Sequence, residues 1–560
     1  VSEKAAHYSW FGRNKENLAA GGGYLIMSCL YAYRVLQNFT THIAGHGGDG
    51  FQNLWNMWWF KHALFTGQNP YFTDMLHYPN GHTLLFHTLN PFNCLLALPL
   101  DLILGQPAAY NLVFLFSFAA SGFTMYLLAY ELFPNRAAAF LAGCVFTFSP
   151  FHFAHAQGHL QLVAMEWLPL FLLFLIRSWR NRRIADGIWM GLSLALTAFC
   201  SFYYLLAGLI IAGLATFAKL VTERRRVFER KLLFSLGAGA GVFLSTAGVL
   251  LTAMLVSYLR LDLVPAHDAR FWSADLQSFF IPPWVSAYGP LFIDTWRKWT
   301  GNSAECNQYL GYSVIALAIA AFALSRRGER PWGWAGIALC GMFLSLGPVL
   351  HWGGHIYNSI PLPYKFLDWI FPILGMSGAP VRWHIITLIA GSILAAGGLN
   401  ALLARIGDKK ILVLSRRHAA ALAVTLLVLL EFLPHPIESR TVALPDFIRL
   451  IEKSPLDSIV YDIGDPNQAL LRQTGHKHKM IGGYASRTTR SALDFISRTP
   501  VLRALRGELN LAPEQVKQEA MGLHLRFLIV PSGHRVVGHL RQLGLDKLAE
   551  QWGTQLWEIP

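Results

Sequence analysis

Long apolar runs separated by short, often basic breaks fill most of this chain, and their length sets the first expectation. A helix needs roughly twenty predominantly apolar residues to cross about 30 Å of hydrocarbon. Residues 18–36, 108–131, 160–176, 184–199, 205–220, 232–258, 310–324, 332–350, 385–403 and 419–432 approach or reach that length, and 137–150 is a shorter candidate. After Phe432 the pattern changes. Pro434, Pro436 and Pro445 interrupt the helical period, and the β-rich runs DSIVYDI and LRFLIVP alternate with helical pieces such as LPDFIRLIEK and PEQVKQEAMGL. The pattern predicts an α-helical polytopic membrane domain over residues 1–433 and a small α/β domain over residues 434–560.

Composition agrees. The chain of 560 residues is 54% hydrophobic and 14% charged, with eighteen tryptophans, which excludes an ordinary soluble protein. The opening residues VSEKAAHYSWFGRNKENLAA hold no apolar core closed by a small-residue cleavage site, so the first helix is expected to direct insertion. Six cysteines are scattered without zinc or redox spacing and suit packing; for Cys94 and Cys306, in outer segments, a disulfide is the alternative.

A net charge of +14 raises nucleic acid as a partner, but the positions of the basic residues argue for topology instead. They cluster at Lys4, Arg13 and Lys15, at Arg136, at Arg177–Arg183, at Arg224–Arg226 with Arg230 and Lys231, at Arg326, Arg327 and Arg330, and at Arg405, Lys409, Lys410, Arg416 and Arg417. Every second loop is basic, the positive-inside pattern of a chain whose N-terminus is cytoplasmic. The alternation also requires 137–150 to cross, which gives about eleven crossings and an extracytoplasmic C-terminal domain.

Residues 42–107, 151–159, 260–309 and 351–383 then fall on the outer face, and nearly all the unusual chemistry lies there. In HIAGHGGDGFQNLWNMWWFKHAL, Asp49 sits among Gly45, Gly47, Gly48 and Gly50, with His46 before it and Gln52 and Asn53 after it. Glycines let backbone approach a ligand closely, and a carboxylate at the membrane boundary serves as base or metal ligand. A turn or helix cap is its plainer role; its place directly after the first crossing favours the functional one. Aromatic-rich pieces of this loop should lie along the interface with their tryptophans at the headgroup level.

The loop FSPFHFAHAQGHLQL holds His152, His155 and His159, which suit metal binding together with Asp49 or hydrogen bonding to a phosphate; His152 equally suits packing. Glu166, inside an apolar helix, is costly there and should face the bundle interior, pairing with a histidine or supporting the site. Glu305, in AECNQYLGY, stands at the entrance to a crossing. Arg382, in GAPVRWH, can clamp a phosphate with its planar fork or snorkel to headgroups. In HKHKMIGGYASRTTR, Tyr484 and Arg487 follow a Gly-Gly turn, either to bind an acceptor or to pack on the membrane domain.

An acid beside glycine in the loop after the first crossing, interfacial helices in that loop, many crossings and an outer C-terminal domain together resemble the GT-C glycosyltransferases. The segments GDGFQNLWNMWWFKHAL, NPYFTDMLHYPNGHTLLFHTLNP, FSPFHFAHAQGHLQL, AECNQYLGY and RQTGHKHKMIGGYASR look like those of a bacterial group of GT-C-like membrane proteins. The resemblance implies a multi-pass enzyme of the bacterial inner (plasma) membrane. Such an enzyme transfers a sugar, with inversion, from a polyprenyl-phosphate-linked donor to an extracytoplasmic glycan, lipid or protein. Asp49 would be the catalytic base. Arg382, His155 and His159 would face the donor phosphate, His46, Gln52, Glu166 and Glu305 would support them, and Tyr484 and Arg487 would contact the acceptor. Family members often carry a pair of acids where this chain has GGDG, a departure that favours a lone base over a metal-bridged pair. A divalent metal stays open as cofactor, with Asp49, His155 and His159 as its candidate ligands. The alternatives are a non-catalytic GT-C-like subunit held among other membrane subunits, and a lipid or ion transporter.

Overall fold

Helices occupy most of each expected crossing in the computed structural model, though the one expected over 332–350 ends at Ser345 and gives way to the strand Val349–Trp352. The structure describes residues 10–560 apart from 224–226, 265–266, 303, 327–328, 371–377, 408–409 and 412–413. Lys4, Arg224, Arg225, Arg226, Arg327 and Lys409 of the basic clusters lie outside the described residues. Among the described residues, Gln106–Leu132, Arg136–His155, Leu160–Asn181, Phe202–Thr222, Arg230–Arg260 and Pro380–Arg405 are long and apolar enough to cross a membrane. Ile184–Cys200, Tyr312–Leu324 and Trp332–Ser345 are shorter apolar helices. The chain is a multi-pass membrane protein.

Small residues let the helices close on one another where apolar attraction alone gives no preference over lipid. A Cβ added to Gly191 would lie 2.1 Å from the Gly239 carbonyl oxygen, so Ile184–Cys200 and Arg230–Arg260 cross backbone to backbone. Helix starts follow ordinary capping chemistry: Ser149 accepts from the His152 amide ahead of Pro150, and Asn90 accepts from the Asn93 amide ahead of Pro91.

Residues after Phe432 build a five-stranded mixed sheet. Its order is Met480–Ile481, Ile459–Asp462, Leu525–Pro531, Thr554–Glu558 and Asp546–Gln551, the first three parallel and the last two antiparallel to their neighbours. Val501, Leu502, Leu505, Leu528 and Trp557 fill a core on this sheet. The segment is laced to the long loops: His42–Ala44 pairs with Ser439–Thr441, Leu263–Val264 pairs with Thr488–Thr489, and the Met480 amide donates to the Met75 carbonyl. The loops that carry the candidate residues therefore meet at one end of the bundle.

This lacing corrects one expectation. The tryptophans of Asp49–Thr66 do not face lipid headgroups, because Trp55 and Trp59 are fully buried in protein and Trp55 Nε1 donates to Gln473 Oε1 at 2.7 Å. The helix Pro466–His476 covers them. Cys94 and Cys306 are both free thiols, so the alternative of a disulfide there falls.

Candidate functional site

Two loops press together to present Asp49. Gly45 adopts φ +93, and a Cβ there would lie 2.5 Å from the Gln157 carbonyl oxygen, so only glycine allows the first loop to approach the histidine loop this closely. Asn53 ties the contact by donating to the carbonyls of Asp49 at 2.8 Å and Gly158 at 3.0 Å. Asp49 is the first residue of its helix but not its cap, since Gly48 occupies the cap without a side-chain bond. Its carboxylate turns to His159 instead, Oδ2 lying 3.0 Å from Nε2.

Burial would push the Asp49 carboxyl up, but the bond from His159 and the charges of His159 and Arg382 outweigh it and hold the group below its ordinary value. It is a carboxylate throughout the physiological range.

Glu305 and Arg382, 77 positions apart, form a buried ion pair with Nη2 2.5 Å from Oε1 and Nε 3.2 Å from the same oxygen. The guanidinium lies over the Tyr203 ring at 4.9 Å. Burial raises the Glu305 carboxyl, yet the Arg382 charge overrides it and holds it well below the usual range. Next to this pair, His155, His159 and Glu305 bring three ligand atoms within 4.8 Å of one another. His155 Nε2 and His159 Nδ1 are buried without hydrogen-bond partners. Two imidazoles and one carboxylate form the three-ligand set that a catalytic divalent metal takes with a position left open, so these residues fit one.

Asp49, His159, Arg382, Tyr484 and Arg487 line a common cavity of about 410 Å³. Leu205, Leu250 and Leu255 form its apolar side, and Leu255 is 50% exposed on the outer face of Arg230–Arg260.

The remaining expected residues are placed differently. Gln52 is buried at one remove, donating to His87 and to Ser486 Oγ at 3.1 Å. His152 is a packing residue, bonded to the carbonyls of Thr147 and Val163 and stacked on Phe118. His46 is exposed and stacks on Trp284 outside the cavity lining, because the Gly45 and Gly47 turns aim it away. Glu166 is buried where Trp167–Asn181 begins and makes neither hydrogen bond nor ion pair with any described histidine, so its expected partner is corrected. Tyr203, His87 and Ser486 were not singled out from the sequence. Tyr203 falls between the crossings expected at 184–199 and 205–220, and Ser486 carried no signal.

A family model described as Domain of unknown function (DUF6311) matches residues 20–430. Among curated proteins, no sequence matches. Of solved structures, the arabinofuranosyltransferase AftD from Mycobacteria is similar with a TM-score of 0.61 and 13% identity, covering 98% of this chain and 40% of its own. The oligosaccharyltransferase of Archaeoglobus fulgidus, solved tethered to an acceptor peptide containing the NVT sequon, is similar with a TM-score of 0.53 and 12% identity, covering 93% of this chain and 70% of its own. This chain thus spans about two fifths of the length of AftD. The fold is that of the GT-C glycosyltransferases.

Proposed function

The chain belongs to the DUF6311 family, a domain of unknown function, and from that premise we propose that it is a membrane glycosyltransferase that takes a sugar from a polyprenyl-phosphate-linked donor. One observation carries this reading: the cavity that holds Asp49, Arg382 and Arg487 continues along apolar helix residues to the half-exposed Leu255. A charged head beside an apolar, lipid-facing wall suits a phosphate that cannot leave the bilayer.

The chemistry is a single displacement. The acceptor hydroxyl oxygen bonds to the anomeric carbon as the bond from that carbon to the phosphate oxygen breaks, and the configuration inverts. Asp49 takes the hydroxyl proton, and its fixed position beside His159 keeps it aimed at the reacting centre. The electron pair leaves on the lipid phosphate, facing the guanidinium groups of Arg382 and Arg487 on the cavity wall. His155, His159 and Glu305 would hold a divalent metal, which supplies further stabilisation of the departing phosphate. Glu305 thus takes the ligand place expected for Asp49, and Arg487 joins the donor side rather than the acceptor side.

We place the reaction on the extracytoplasmic face of a bacterial plasma membrane, with residues 434–560 as an outer domain, following the basic-loop alternation. The test is transfer from a panel of radiolabelled polyprenyl-phosphate sugars to extracted host lipids and glycans by the purified chain in nanodiscs. A labelled product is expected, and no product from any donor contradicts the proposal.

A further inference from the structure

A second cavity of about 780 Å³ adjoins the first and shares Tyr71, Leu85, Phe199 and Leu250 with it. Its chemistry is different. The described residues that line it include no Asp, Glu, Lys or Arg, whereas the first cavity carries Asp49, Arg382 and Arg487. One wall is polar and uncharged, with Asn69, Asn80, Thr83, Thr489 and Ser491 beside the rings of Tyr71 and Phe72. His82, 2% exposed, completes that wall, and burial pushes it down to about 4, so it adds no charge near neutrality. The opposite wall is the helix Arg230–Arg260, where Val249, Leu250 and Ala253 face the space between Thr246 and Ser257, and Val249 is 79% exposed.

An uncharged set of amides, hydroxyls and aromatic rings offers hydrogen bonds and apolar ring faces but nothing to offset an ionised group. Burying a phosphate or carboxylate in it would carry a desolvation cost without a compensating cation. The apolar stretch Val249, Leu250 and Ala253, open at the exposed Val249, accepts an alkyl chain at the same time. We infer that this second cavity binds an uncharged glycolipid, whose sugar lies on the Asn80–Ser491 wall and whose chain lies on the Arg230–Arg260 helix, and that this ligand is the acceptor. The assignment rests on the glycosyltransferase reading for the word acceptor, though not for the binding site. The wall shared by the two cavities is where an acceptor hydroxyl would enter the space that Asp49 faces.

The experiment is photo-crosslinking of the full chain in nanodiscs with three probes of equal chain length: a photoreactive alkyl glucoside, the corresponding alkyl phosphate, and the corresponding plain alkyl alcohol. Labelled peptides are mapped by mass spectrometry in the parent, in Ala253→Trp and in Asn80→Ala. The glucoside is expected on peptides containing Asn80 and Ser491, and the phosphate on peptides containing Tyr203 and Arg382. Ala253→Trp fills the second cavity alone and should lower glucoside labelling about tenfold. Unchanged phosphate labelling in that variant reports an intact fold, and Asn80→Ala removes a polar contact without adding bulk. Equal labelling of the second cavity by the plain alcohol, or preference of the phosphate for it, overturns the inference. Glucoside labelling as expected, with no sugar transfer from any donor, leaves the site standing and removes the glycosyltransferase reading. Transfer to alkyl glucosides that is insensitive to Ala253→Trp leaves the transferase standing and overturns the acceptor assignment.

Discussion

Oδ2 of Asp49 lies 3.0 Å from Nε2 of His159, and this pair joins the loop after the first helix to the loop before Leu160–Asn181. The geometry holds the carboxylate in one orientation on the wall of the cavity that Arg382 and Arg487 also line, which is what an acid needs if it is to meet a single incoming hydroxyl.

Removing the histidine should change the protonation of the aspartate before it changes anything else. His159→Gln takes away the charge that, with the hydrogen bond, holds the Asp49 carboxyl below its ordinary value against burial. The carboxyl then rises, and the acid limb of the pH–rate profile moves to higher pH. The stability that this carboxylate contributes is present above its unfolded value and is lost as pH falls through the lower folded value. His159→Gln should therefore lower stability above the unfolded value, with the difference from the parent closing as pH falls through the folded value, read as thermal unfolding against pH. An unmoved acid limb would show that His159 does not set the charge of Asp49.

Glu305 and Arg382 are 4% and 7% exposed, so removing one leaves a buried charge without its partner. Glu305→Gln and Arg382→Gln should each cost about 3–5 kcal/mol, with the double variant less unstable than the sum of the two. Because Arg382 overrides burial and holds the Glu305 carboxyl well down, the pair persists through mildly acidic pH and is lost only as pH falls through that depressed value. Thermal unfolding in detergent across pH, with the double-mutant cycle, measures both.

Much of this was legible from residue type alone. An acid among glycines, histidines in an outer loop and an arginine before a helix each pointed to Asp49, His155, His159 and Arg382, and the structure brings these together. Pairing was not legible, because nothing local links Glu305 to Arg382 across 77 positions. The burial of Trp55 and Trp59 was missed for the same reason: Gln473, which meets Trp55, comes 418 residues later. His46 shows the limit of counting chemistry by proximity in sequence. It lies three positions before Asp49, yet the left-handed turns at Gly45 and Gly47 send it to the surface.

Gly45→Ala places a methyl 2.5 Å from the Gln157 carbonyl oxygen at φ +93. The loops must separate, at a cost of about 1–3 kcal/mol, and the Asp49–His159 contact opens with them. A lower melting temperature together with reduced transfer is expected, and a variant matching the parent in both would show that the loops need no such approach.

If His155, His159 and Glu305 hold a divalent metal, Co²⁺ added to chelator-treated protein should give visible absorption bands of a low-symmetry site, lost in His155→Ala. Bands that persist in His155→Ala, or none in the parent, would remove the metal from this cluster.

The most direct measurement is the rate of sugar transfer by Asp49→Asn beside the parent, in nanodiscs, with the same polyprenyl-phosphate donor and with equal melting temperatures as the control for folding. The amide keeps the size of the side chain but cannot take the hydroxyl proton, so transfer should fall about a hundred- to ten-thousand-fold while donor binding is retained. Equal transfer by the two proteins would contradict Asp49 as the base.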